Sequence, residues 1–125
     1  MDENDVSGQV IGAAVEVHKH LGPGLLEAIY RDCLTHELKL QGIRVEKEVA
    51  FPVRYKNIEF PAGYRADLLV EESVIVELKA VDAFSPIHTA QLLSYLRMSG
   101  LRLGLLINFN VSRLTEGVKR VVNKL

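Results

Sequence analysis

The segment from Tyr64 to Ala80 constrains the fold more than any other part of the chain. Two short apolar runs, Ala66–Val70 and Val74–Ala80, flank Glu71-Glu72-Ser73, the pattern of an antiparallel hairpin. Side chains alternate along a strand, so Ala66, Leu68, Val70, Val74, Val76, Leu78 and Ala80 are expected on one face. Arg65, Asp67, Glu77 and Lys79 then share the other face. A three-residue turn at Glu71–Ser73 sets Asp67 directly opposite Glu77. A two-residue turn at Glu71-Glu72 would set it opposite Val76 and put the carboxylates on opposite faces. In the first register two carboxylates repel across the ladder. Lys79 supplies one compensating charge, whereas a divalent cation supplies two and takes hard oxygen ligands. Charges set among Val74–Val81 are costly unless paired or used. The plainer alternative is an exposed hairpin whose charges solvate one face.

The flanking patterns place this hairpin in a domain. Val6, Val10, Ile11, Ala14, Val17 and Leu21 recur at helical spacing and predict a helix from about Asp5 to His20, stopped by Gly22-Pro23-Gly24. Leu26, Ile29, Tyr30, Cys33, Leu34 and Leu38 predict a second helix from about Leu25 to Leu40, with Gly42 after it. The period then changes to two. Ile43, Val45, Lys47, Val49 and Phe51 alternate in a strand, and Pro52 marks an edge or a bend. Lys56-Asn57 reads as a turn and Ile58–Phe60 as a short strand of its own. Ser85 and Pro86 suit the N-cap and first position of a helix that runs to about Met98. Leu101–Phe109 is a nearly continuous apolar run and reads as a buried strand. The tail, Ser112–Leu125, fits either helix or strand. Helices on either side of a mixed sheet, in one domain over 1–125, satisfy this order.

Composition narrows the function classes. A chain of 125 residues can bury one real core. No apolar stretch approaches the ~18 residues of a transmembrane helix. The acidic start, Met1–Asp5, does not read as a signal peptide, and the lone Cys33, on an apolar helix stripe, excludes an intramolecular disulfide. The expected setting is the cytosol. A net charge of -1 argues against strong non-specific nucleic-acid binding, though not against a nuclease. No phosphate-cradling glycine loop, structural-zinc spacing or Gly-x-Ser-x-Gly elbow occurs.

Other polar residues are candidates to join the hairpin carboxylates. His88, Gln91 and Tyr95 fall within about 60° of one another on a helix. This stripe lies on the helix that must fold back over the Glu77 strand; a half-exposed face is the ordinary alternative. Glu27 and Tyr30 share a face of the second helix, where Glu27 has a routine explanation as a surface partner of Arg31. His18 and His20 suit a helix C-terminus by the dipole alone.

Five segments together carry a resemblance. They are Gly24-Leu25-Leu26-Glu27-Ala28-Ile29-Tyr30, Arg65–Val70, Val76–Ala80, Gln91–Leu96 and Gly104–Phe109. The chain resembles the GxxExxY protein family over nearly its whole length, and through it the PD-(D/E)XK, or restriction-endonuclease-like, superfamily. The resemblance implies an α/β fold with an αβββαβ core and a mixed central sheet flanked by helices. It implies Asp67 and Glu77, with the Leu78 backbone carbonyl, as ligands of Mg²⁺ or Mn²⁺, and Lys79 as the catalytic lysine. Glu27 resembles the superfamily's helix acid, and Gln91 and Tyr95 match a Gln-x-x-x-Tyr motif of a nuclease subset. Ala66 stands where the motif's name has Pro. The implied activity is metal-dependent phosphodiester hydrolysis on nucleic acid, DNA or RNA. The alternative is a non-catalytic module that binds a protein or nucleic-acid partner. A homodimer or a protein partner stays open, and a membrane is not expected.

Overall fold

The computed structural model describes residues 1–125. Helix α1 spans Glu3–Leu21 and α2 spans Glu27–Leu40; strands β1 (Val45–Tyr55), β2 (Ile58–Val70) and β3 (Val74–Lys79) follow. Helix α3 (Pro86–Ser99), β4 (Leu103–Asn108), a 3-10 turn (Leu114–Gly117) and β5 (Val118–Val122) complete the chain. α1 begins earlier than its apolar stripe because Asp2 and Asp5 form a reciprocal capping box. α3 starts as expected, with Ser85 as N-cap and Pro86 in the first turn, and Gly100 closes it in the left-handed region at φ 76. The undecided tail is a strand, because Val121 buries its side chain beneath α3 and β5 pairs along β4.

Ile58–Phe60 is not a separate strand. It begins β2 and pairs with Val53–Tyr55 across the Lys56-Asn57 turn, giving two long strands. Between Phe51 and Val53 β1 advances two residues, while β2 advances four, from Tyr64 to Phe60. The bulge therefore lies on β2 at Pro61–Gly63, and Gly63 is needed there because a Cβ would overlap Val53.

The five strands lie in the order β1-β2-β3-β4-β5. Only β3 and β4 are parallel, and α3 makes the crossover between them. α1 and α2 cover one face, burying Leu68, Val70, Val76, Leu78, Leu105 and Ile107. α3 covers the other, packing its Leu92 and Leu96 onto Ile75 and Leu106. β3 is buried from Val74 to Leu78, so any charge on it must be accommodated inside the protein. Ala66 departs from the expected alternation and joins the α3-side cluster. β2 stops pairing with β3 beyond Leu68, and Glu48, between the residues of β1 that pair with Leu68 and Ala66, takes φ 52, so the pleat changes phase here. No helix is long and apolar enough to cross a membrane.

Gly104 sets how closely α3 approaches the sheet. A Cβ there would come within 2.9 Å of the buried Leu92 side chain. Gly104→Ala should therefore lower stability by about 1–3 kcal/mol through overpacking, read as a lower urea midpoint at unchanged m-value.

Candidate active site

The hairpin between β2 and β3 adopts the three-residue-turn register: Val70 pairs with Val74, Leu69 with Ile75 and Leu68 with Val76. Glu71 and Glu72 take left-handed φ values of 51 and 53, and the Ser73 N–H donates to the Val70 carbonyl at 3.0 Å. One step further along, Asp67 comes opposite Glu77. The backbone ladder gives way there, and the Asp67 carboxylate accepts from the Leu78 N–H at 2.8 Å. A side chain thus replaces a backbone acceptor, which holds Asp67 against β3.

Glu77 is the electrostatic centre of this cluster. It is 9% exposed, and its Oε1 is the one buried side-chain polar atom without a hydrogen-bond partner. Burial pushes its carboxyl up to about 9, and the Asp67 charge pushes in the same direction. Asp67 lies within hydrogen-bonding reach of it, and Lys79 offsets part of the shift. On α3 the Tyr95 hydroxyl is raised from its ordinary value by burial, then by the charges of Glu77 and Asp67, so both lie within electrostatic reach of it. An unpartnered, buried acid oxygen next to a second carboxylate suits a hard cation.

The remaining candidates occupy distinct places. Lys79 is half-buried at the end of β3, opposite Asn108 of β4, and forms no ion pair. The Leu78 side chain lies in the α1–α2 core while its N–H serves Asp67. Gln91 is exposed on α3, one turn before Tyr95. Glu27 does not pair with Arg31, whose guanidinium goes to Glu48 at 2.8 Å and to Asp32. Instead its carboxylate accepts from the Ala80 N–H at 3.2 Å, just past Lys79. No three Asp, Glu, His or Cys side chains are arranged to hold a metal ion, so Glu27 does not close a triad with Asp67 and Glu77. The Gly-x-x-Glu-x-x-Tyr segment has a structural logic. Tyr30 is fully buried and stacks on Phe109; its hydroxyl donates to Gly22 O at 2.6 Å and accepts from Leu25 N–H at 3.0 Å. This fixes the turn that delivers Glu27 to the end of β3.

Two site residues escaped the reading of the sequence. Tyr64 stacks on Tyr95 with ring centroids 4.0 Å apart, and its hydroxyl donates to the Tyr95 carbonyl at 2.8 Å. It could not be placed because it precedes the phase change in β2. Asn108 is 3% exposed. Its Oδ1 accepts from the N–H groups of Val81 and Asn110, both at 3.1 Å, and its Nδ2 donates to Val81 O at 2.8 Å. It thereby pins the segment after Lys79. Its signal was legible, as a polar residue ending the otherwise apolar run Leu103–Ile107. Asn108→Ala removes the partners of half-buried backbone groups of Val81 and should lower stability by about 1–2 kcal/mol, with faster amide exchange confined first to 80–85.

A sequence profile of the PD-(D/E)XK nuclease superfamily matches residues 4–121. The crystal structure of SSO0001 is similar in fold, with a TM-score of 0.58 and 23% sequence identity over 78% of this chain. The similar region amounts to 50% of SSO0001, so the chain spans about half of that protein. No curated protein matches the chain.

Proposed function

Because the chain belongs to the PD-(D/E)XK nuclease superfamily, we propose that it hydrolyses phosphodiester bonds of nucleic acid at Asp67, Glu77 and Lys79, with Mg²⁺ or Mn²⁺ as cofactor. The observation that carries this reading is the buried, unpartnered Glu77 Oε1 beside Asp67. Asp67, Glu77 and the Leu78 carbonyl would hold the cation. The chemistry such an ion supplies when bound is polarisation of a phosphoryl oxygen and a lowered pKa of a coordinated water. Lys79, on the same strand with no carboxylate claiming it, is free to stabilise charge developing on the phosphate or to orient a water. Tyr95 keeps its proton, since its hydroxyl is raised, and so can donate to a substrate oxygen. Gln91, exposed one turn away, positions the nucleic-acid backbone. Glu27 acts at one remove, by holding Ala80 and with it the end of β3.

The experiment is cleavage of single- and double-stranded DNA and RNA with Mg²⁺ or Mn²⁺, alongside calorimetric Mn²⁺ titration. Metal-dependent cleavage that Asp67→Ala removes is the expected result. A second reading, a non-catalytic nuclease-fold module for a nucleic-acid or protein partner, draws on the gathering of only two carboxylates. Metal-independent partner binding with no cleavage across the panel would favour it.

A further inference from the structure

β3 pairs with β2 only over Leu68–Val70, whereas the β1–β2 pairing continues to Tyr55 and Ile58. The outer part of the hairpin is thus a two-stranded arm beyond the sheet. At about 3.4 Å per residue, Phe60 lies up to about 24 Å along β2 from Asp67, less the shortening at the bulge. Residues paired across the arm share a face, so Val53 joins Phe60 and Tyr55 joins Ile58, with Arg54 and Glu59 on the other side. Phe51 anchors the apolar face. Its ring stacks on Tyr64 at 5.1 Å, and Tyr64 stacks on Tyr95, within electrostatic reach of Glu77. The stripe therefore begins at the carboxylate cluster and runs out along the arm, where Tyr55, Ile58 and Phe60 are 61%, 56% and 52% exposed.

The arm also differs in charge from the chain that bears it. Ala50–Arg65 holds three basic residues, Arg54, Lys56 and Arg65, against the single acid Glu59, in a protein of net charge -1. Arg54 and Glu59 meet only at 3.8 Å with both side chains exposed, and Arg65 has no ion-pair partner. Lys56 holds its ammonium 5.3 Å from the Tyr55 ring centroid. Exposed rings with the Lys56 ammonium beside one of them, on an arm of net positive charge, suit unpaired bases and their phosphates; bases stacked inside a duplex cannot offer their faces.

We infer that the β1–β2 arm is a binding strip for single-stranded nucleic acid, which feeds the strand toward the Asp67–Glu77 cluster. This rests on the nucleic-acid reading above and narrows it to unpaired substrate. The test is fluorescence anisotropy of labelled oligo-dT, oligo-U and a matched duplex, in EDTA so that binding is read without cleavage. The wild type should bind single strands more tightly than duplex. Tyr55→Ala combined with Phe60→Ala should weaken single-strand binding about tenfold or more at unchanged melting temperature, while Tyr55→Phe keeps the affinity. Lys56→Ala should reduce the salt slope. The inference is overturned by a wild type that binds no oligonucleotide or prefers duplex, or by equal affinity in the double variant. It is equally overturned by a wild-type dimer that the double variant turns into monomer, since the arm would then seat a second copy. Cleavage with Mn²⁺ is scored separately. Lost affinity with no cleavage by either protein keeps the strip and removes the hydrolysis proposal. Undiminished cleavage by the double variant at low substrate concentration does the reverse.

Discussion

Glu77→Gln should make the metal-free protein more stable at pH 7, by about 3 kcal/mol and a melting temperature higher on the order of 10 °C. The Glu77 carboxyl rises from 4.5 unfolded to about 9 folded, chiefly because it is buried and secondarily because Asp67 faces it. Below pH 4.5 the group is protonated in both states and carries no penalty. As pH climbs the unfolded chain releases the proton while the folded chain keeps it, so stability is lost progressively until about pH 9. Glutamine has the shape of the protonated acid, can still donate to Asp67, and does not titrate. The gain should vanish near pH 4 and widen toward pH 9. A bound divalent cation requires the ionised acid, so Mn²⁺ should stabilise the wild type more at pH 8 than at pH 6, and the variant little at either. A variant less stable than wild type at pH 7, or a gain independent of pH, would refute this account of Glu77. Asp67→Ala is a poorer probe. It relieves the same repulsion but orphans the Leu78 N–H, a loss of about 1–3 kcal/mol that offsets the gain.

Lys79→Ala should reduce hydrolysis by about 10²–10³-fold or abolish it, the scale for removing one preorganised donor. The fold should survive, because Lys79 is half-buried at the end of β3 and holds no ion pair. Mn²⁺ affinity by calorimetry should stay within severalfold of the wild type, because an ammonium is a charge and a donor and not a metal ligand. Equal cleavage by wild type and variant would mean that Lys79 is misassigned or that the cleavage is a contaminant. Loss of metal binding together with activity would make Lys79 a structural support of the carboxylates instead.

The order of elements was legible because each depends on local physics. The apolar stripes of α1 and α2, the Ser85-Pro86 start of α3 and the apolar run of β4 are read within a few residues of one another. So was the α/β class with helices on both sides of a mixed sheet, because β3 and β4 have almost no polar positions and must be covered twice. The facing of Asp67 and Glu77 was legible only as one of two registers. The choice fell to Glu71 and Glu72 accepting left-handed backbone, which the packing of Val70 and Val74 into the α1–α2 core enforces.

What lay beyond the sequence was long-range. Whether Ile58–Phe60 stood alone or continued into β2 depended on a bulge that forms only against Val53. The ordinary partner for Glu27 was Arg31, four residues on, but the fold brought Glu48 to Arg31 and Ala80 to Glu27. Tyr64 reached Tyr95 because the pleat of β2 changes phase where β3 ceases to pair with it. The chain by itself determined which residues are apolar, charged or conformationally special, and so which elements form. Tertiary structure alone decided which charges face one another and which acid loses its solvent, because burial and proximity are properties of the packed sheet and its two helical layers and not of neighbours along the chain.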